Sequence, residues 1–252
     1  MPITILTDFG TVDGYVGAMK GVMASLAPGV AIDDVSHDLP AGDVEAAAWA
    51  LGAYWRRYPE GSVHVVVVDP GVGTARRALA AEADGRFLVG PDNGVLSWAL
   101  REAWRAGDVR ALDPPPDAQL SATFHGRDLF APAAARLATG QPMAALGPPA
   151  LGMVRLPWPE PARTRNGVDG VVLHVDHYGN LITNLPAGVL GEDSSVRVAG
   201  AVVAIGRTYG DVASGEAIAY VGSRGLVEIG VRDGSAAARF GGKGTAVSCT
   251  RG

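Results

Sequence analysis

Along the first part of the chain, apolar and polar positions switch between the period of a strand and that of a helix. Ile3–Thr7 is a short apolar run that ends at Asp8-Phe9-Gly10. Val16, Met19, Val22, Met23 and Leu26 then recur at helical spacing until Pro28-Gly29. The pattern predicts a strand, a helix over Tyr15–Leu26 and a second strand over Val30–Val35. Asp43 is placed to cap an Ala-rich helix that runs to about Trp55 and stops at Tyr58-Pro59-Glu60-Gly61. Val63–Val68, broken only by His64, reads as a strand buried on both faces of a parallel sheet. Two further helices are expected at Leu96–Arg105 and Leu129–Ala138. This β-α-β-α-β order implies right-handed crossovers and an α/β domain with a mainly parallel sheet.

The pattern changes near Leu156-Pro157-Trp158-Pro159-Glu160-Pro161, a stiff connector. Beyond it no helical period is visible. Short runs at Gly170–Val175, Leu181–Thr183, Val196–Val198, Val202–Ile205, Ala217–Val221, Leu226–Ile229 and Ala246–Cys249 are separated by Gly, Asp, Asn and Ser. Even spacing of short strands predicts a small all-β barrel or sandwich. The expected domains are therefore residues 1–162, α/β, and residues 163–252, β.

Composition narrows the class. Of 252 residues, 48% are hydrophobic and 19% charged, which fits a globular chain with a buried core. The net charge of −5 argues against a nucleic-acid partner, whose binding rests on phosphate neutralisation. No apolar run approaches the roughly 18 residues of a membrane span, and the amino terminus lacks a signal-peptide pattern, so the default location is cytoplasmic. The one cysteine, Cys249, leaves no internal disulfide and no thiolate metal cluster.

Ligands of open α/β sheets bind beyond the carboxyl ends of the strands. Three polar segments fall there: Thr7-Asp8-Phe9-Gly10, Asp69-Pro70-Gly71-Val72-Gly73-Thr74 and Gly90-Pro91-Asp92-Asn93-Gly94. A fourth, Thr123-Phe124-His125-Gly126-Arg127-Asp128, precedes a helix. Each alone is an ordinary turn composition; four at one sheet edge point to a site. The nucleotide fingerprints are missing: no G-x-G-x-x-G follows the first strand, and Gly241-Gly242-Lys243-Gly244-Thr245 lacks P-loop spacing. His174, Asp176 and His177 invite a metal reading, but strand alternation sends His177 to the opposite face, so no metal is expected. Asp33-Asp34-Val35-Ser36-His37-Asp38 has no evident role.

These segments, with Arg76 and the later Asp176-His177-Tyr178-Gly179-Asn180 and Gly222-Ser223-Arg224-Gly225, resemble the S-adenosylmethionine hydroxide adenosyltransferases. That family is related to the enzymes that fluorinate or chlorinate the same substrate. The resemblance runs in order over nearly the whole chain. It implies an α/β domain followed by a β-barrel domain, a homotrimer with active sites between subunits, and a small-molecule substrate without a cofactor. The implied reaction is attack of water or hydroxide on the ribose 5′ carbon of S-adenosylmethionine, releasing adenosine and L-methionine.

By the same resemblance, Asp69, Arg76 and His125 match the water-activating set, with Arg76 preferred to the adjacent Arg77 on its spacing from Asp69. Asp8 resembles the carboxylate that receives the ribose hydroxyls. Asp13 and Asp176 are similar to partners of the methionine ammonium, Ser223 to a contact of its carboxylate, and Asn180 to a contact of the adenine edge. Tyr209 offers a stacking face for adenine, with an ordinary barrel aromatic as the rival reading. Arg224 and Asn93 complete the candidates, against solvent exposure and turn-shaping respectively. The halogenating relatives carry Tyr at the positions of Asp69 and His125, and the fluorinating ones Ser at Gly126, so halide transfer is the disfavoured alternative. A non-catalytic S-adenosylmethionine or adenosine binding module is another, and a metal-dependent hydrolase a third.

Overall fold

Strand β1 (Ile3–Thr7) and helix α1 (Tyr15–Leu26) form where the apolar periods place them, in a computed structural model that describes residues 1–101, 103, 106–114, 119–191 and 193–251. The chain divides into two units, Met1–Leu156 and Pro157–Gly252, at the proline-bearing connector.

In the first unit the elements continue as β2 (Ile32–Ser36), α2 (Val44–Tyr54), β3 (Val63–Val67), β4 (Ala78–Ala83), β5 (Arg86–Pro91), α3 (Ser97–Arg101), β6 (Ala106–Ala111) and α4 (Ala131–Ala138). Asp43 caps α2 as expected, its Oδ1 accepting from Ala46 N at 2.9 Å. Among the described residues the sheet order is β2-β1-β3-β5-β4-β6. The first four of these run parallel, so β1, β3 and β5 all end on one edge. β4 is antiparallel to both β5 and β6. It is joined to β5 by Asp84-Gly85, both with positive φ (48° and 70°), the backbone of a tight hairpin turn that matches strand twist.

β3 is buried on both sides. Val65 and Val67 join Ile3, Ile5, Met19, Phe130 and Leu137 in one core, while Val66 joins Leu6, Leu51, Trp55 and Leu88 in the other. Each such side chain contributes about 1.5–3 kcal/mol on burial.

Two expected helices differ. The one at Leu96–Arg105 is observed only as α3, and residues 102, 104 and 105 lie outside the described residues. The one at Leu129–Ala138 begins earlier, with a wide π-helical turn over Gly126–Phe130 in which Ala131 N donates to Gly126 O.

The second unit contains β7 (Ala162–Thr164), β8 (Gly167–Val175), β9 (Leu181–Pro186), β10 (Ser194–Val198), β11 (Ala201–Ile205), β12 (Ala217–Val221), β13 (Leu226–Val231), α5 (Ala236–Phe240) and β14 (Ala246–Arg251). Pairing runs β14-β10-β11-β12-β13-β9-β8 and closes from β8 back to β14, a seven-stranded barrel with β7 hairpinned onto β8. Inward residues, among them Val172, Leu181, Leu185, Val196, Ile229, Val247 and Cys249, fill its core.

The expectation of no helix in this part is corrected by α5. Ser235 Oγ accepts from Ala238 N at 3.2 Å and starts one and a half turns in a segment too short to show a period. The expected alternation through His177 is also corrected: β8 stops at Val175, and Asp176 begins a turn. No helix among the described residues is long and apolar enough to cross a membrane.

Candidate active site

β3 delivers Asp69 just past its carboxyl end, and the following loop returns Arg76 against it. The Arg76 Nε donates to both Asp69 oxygens at 2.9 Å, and its Nη2 makes a further short contact to Oδ2. The same Nη2 lies 2.9 Å from His125 Nδ1. The Asp69 carboxylate and the Arg76 guanidinium are only 4% and 10% exposed, so the pair is shielded from water that would weaken it.

A guanidinium only donates, so Nδ1 of His125 accepts and the neutral imidazole carries its proton on Nε2. Burial, then the Arg76 charge, holds His125 below the ordinary histidine range, against the upward pull of Asp69 and Asp128. His125 sits at the start of the wide turn that leads into α4; such turns are frequent at functional sites.

Arg77 is used elsewhere. Its Nε and Nη2 bind the buried Asp92 at 2.8 and 2.6 Å, and its other bonds go to the carbonyls of Leu151 and Gly152. Asn93 is a turn-shaping residue: its Nδ2 donates to Val68 O at 2.9 Å and its Oδ1 accepts from Val95 N at 3.1 Å. It thereby fixes the carbonyl immediately before Asp69.

The Asp8 segment reaches the same edge. Asp8 Oδ2 accepts from Gly42 N at 2.8 Å. A Cβ on Gly126 would meet Met19 Sδ, Phe9 Cε2 and Phe124 Cε2 at 3.1–3.3 Å, so the Asp8-Phe9 loop packs directly on the His125-Gly126 turn. Phe9, Tyr15 and Phe124 form mutual edge-on contacts there, with ring centroids 5.2–6.1 Å apart. Asp13 is exposed on the loop before α1.

In the barrel unit, Asp176, Asn180, Tyr209 and Ser223 line one cavity of about 790 Å³. Asp176 and Asn180 close a turn on each other: Asn180 N donates to Asp176 Oδ1 at 2.8 Å and Nδ2 to Oδ2 at 2.7 Å. The Asn180 side chain thus has Oδ1 left to offer. Arg224 is half-buried in the adjacent Gly222–Gly225 turn.

Polar lining residues absent from the sequence expectations include Tyr220 and Glu228. Tyr220 Oη lies 2.6 Å from Tyr209 Oη and hydrogen-bonds to Glu228. Burial pushes both Tyr220 and Glu228 upward from their ordinary ranges. The signal for Glu228 was a lone acid inside the apolar run Leu226–Ile229. Gly230 leaves room for the Tyr209 ring, which a Cβ there would strike. No group of three or more His, Cys, Asp or Glu among the described residues is arranged to hold a metal.

Comparison with known proteins covers both units. Residues 3–147 match the model of the SAM hydroxide adenosyltransferase N-terminal domain and residues 170–247 that of the C-terminal domain. The chain is 46% identical to the (R)-S-adenosyl-L-methionine hydrolase of Thermus thermophilus over 93% of both proteins. It is 32% identical to a fluorinase of an Actinoplanes species over 73% of this chain and 71% of that one. A solved structure of an uncharacterized conserved protein from Thermotoga maritima superposes with a TM-score of 0.91 at 33% identity, covering 99% of this chain and all of the other. With its motifs in order, its two-part fold and both family models matched, this chain belongs to the SAM hydroxide adenosyltransferase family.

Proposed function

We propose that this protein hydrolyses S-adenosyl-L-methionine, in the (R)-sulfonium form named for its relative, to adenosine and L-methionine. The observation that carries the reading is the Asp69–Arg76–His125 constellation at the sheet edge where strand ends deliver ligand-binding loops. An oxygen nucleophile forms a bond to C5′ as the C5′–S bond breaks in line. The bonding pair goes to sulfur, which leaves as a neutral thioether and needs no acid. Water must shed one proton to solvent, and the difficulty lies in keeping the resulting hydroxide at the site.

His125 suits that task as a donor. Its Nδ1 is held by Arg76, and its Nε2–H is directed to the nucleophile; Arg76 adds positive charge beside it. Asp69 fixes the guanidinium rather than meeting the sulfonium, where it would stabilise the ground state. Asp8 receives the ribose hydroxyls. Asp13, Asp176 and Ser223 hold the methionine end, Asn180 Oδ1 and the Tyr209 face hold adenine, and Arg224 supports the Ser223 turn. The working form is a cytoplasmic homotrimer.

Halide transfer fits poorly, because the nucleophile site presents an ionised Arg–Asp pair instead of a dry, neutral pocket. A side chain at 126 would also press on Phe9 and Phe124. The test is to incubate the protein with each sulfonium epimer in ¹⁸O-water, with and without chloride, and to identify the nucleoside. Adenosine labelled at its 5′ oxygen is expected. 5′-Chloro-5′-deoxyadenosine, or binding without any adenosine over long incubation, would overturn the reading.

A further inference from the structure

His37, in the segment Asp33–Asp38 to which the sequence assigned no role, touches the Asp8 loop twice. Its Nδ1 lies 2.8 Å from Thr7 Oγ1, and its backbone carbonyl accepts from Gly10 N at 2.8 Å. These bonds bracket Asp8 on both sides. Thr7 Oγ1 in turn accepts from Phe9 N at 3.3 Å. On its far side, His37 Nε2 faces Asp34 Oδ1 at 3.2 Å, and Asp34 is paired with Lys20 of α1 at 2.9 Å.

The directions are mutually consistent. With Nδ1 accepting the Thr7 hydroxyl proton, the hydroxyl oxygen is free to accept from Phe9, while Nε2 approaches the Asp34 carboxylate without a hydrogen bond to it. His37 is 6% exposed, and it does not face the Asp69–Arg76–His125 cluster with any hydrogen bond. Unlike His64, whose threonine partner Thr4 lies inside β1, His37 is bonded to the last residue of β1, whose hydroxyl also accepts from the backbone of the Asp8 loop. We infer that His37 is a positioning residue which, through Thr7 and Gly10, holds the Asp8 carboxylate in the orientation that reads the ribose hydroxyls.

The inference rests on the ribose assignment of Asp8. A loosened Asp8 weakens binding in ground and transition state alike, so it raises KM and leaves kcat largely intact. Losing one hydrogen bond of this kind corresponds to about a fivefold to tenfold change.

The experiment compares wild type with Thr7→Val, Thr7→Ser, His37→Asn and Asp8→Asn. It reads kcat, KM, melting temperature and the preference for S-adenosylmethionine over its 2′-deoxy analogue. Thr7→Val keeps shape and removes the hydroxyl. It is expected to raise KM about fivefold to tenfold and to erode the 2′-hydroxyl preference, with kcat within about twofold. Thr7→Ser restores both. His37→Asn, whose amide reaches Thr7 but not Asp34, falls between them.

Should Thr7→Val and His37→Asn lower only the melting temperature while Asp8→Asn erodes the preference, this inference is overturned and the ribose assignment stands. An Asp8→Asn variant with wild-type preference overturns both. Asp34→Asn, an exposed change outside the core, gives the same readouts if the buried variants do not fold; KM and preference are expected to shift by about twofold, and wild-type values overturn the inference.

Discussion

Arg76 spans Asp69 and His125 with one guanidinium, donating to the carboxylate at 2.9 Å through Nε and to the imidazole at 2.9 Å through Nη2. A planar fork with several donors can do this; a point charge on a flexible stem cannot. The ring orientation of His125 therefore depends on Arg76, and Arg76 on Asp69.

Replacing Arg76 by Lys is expected to lower kcat by about 10²–10³-fold while adenosine affinity changes little, because the proposed function assigns the donor array to the nucleophile and not to the nucleoside. Steady-state rates and calorimetry with adenosine check this. Equal losses in both would move Arg76 into substrate binding.

His125 titrates below the ordinary histidine range because it is partly buried and faces Arg76. Its neutral form dominates at neutral pH, and activity should fall on acidification only below that ordinary range. Asp69 pulls the value up, so Asp69→Asn should move the titration further down, whereas removing the Arg76 charge should move it up. Imidazole resonances followed by NMR against pH distinguish the two signs.

His64 is fully enclosed beside Thr4, 2.9 Å from its hydroxyl. Burial, then Arg86, pushes it down to about 3. The unfolded chain takes up the proton near pH 6.5, and the folded protein does so only near 3. This histidine therefore reduces stability as pH falls through that window, by about 1.4 kcal/mol per pH unit at most. His64→Gln should flatten the fall in urea-midpoint stability between pH 6 and pH 4, even where it costs stability at pH 7.

Gly230→Ala should expel the Tyr209 ring from the barrel cavity, since the added methyl would occupy its place. Tyr209 is 36% exposed and can swing outward, so the melting temperature should change little. Affinity for adenosine should drop by about 0.5–1.5 kcal/mol if the ring stacks on the base. Titration calorimetry measures it, and unchanged affinity would remove Tyr209 from the adenine contacts.

What the sequence revealed followed from short-range signals. The valine run of β3, the helical repeat of α1 and the Asp43 cap are local patterns, and they appear where the pattern puts them. β4 escaped because Ala78–Ala83 contains no β-branched residue; it is a strand through its hairpin with β5 and its pairing with β6. The Asp84-Gly85 dipeptide was the legible cue to that hairpin. Of the candidate site, the motif residues were visible, and turn-shaping stood as the rival reading of Asn93, but the job of Arg77 was not legible, since it depends on carbonyls distant in sequence. The Tyr220–Glu228 contact likewise joins two strands that only the barrel pairing brings together.

The wide turn at Gly126–Phe130 holds one residue more than a regular helical turn would. Winding that turn at normal pitch with the same residues would rotate everything upstream by one residue step, about 100°, around the helix axis. His125 would then face away from Arg76 with its chemistry intact and its partner lost. The aim of the imidazole is thus a matter of residue count as much as residue identity.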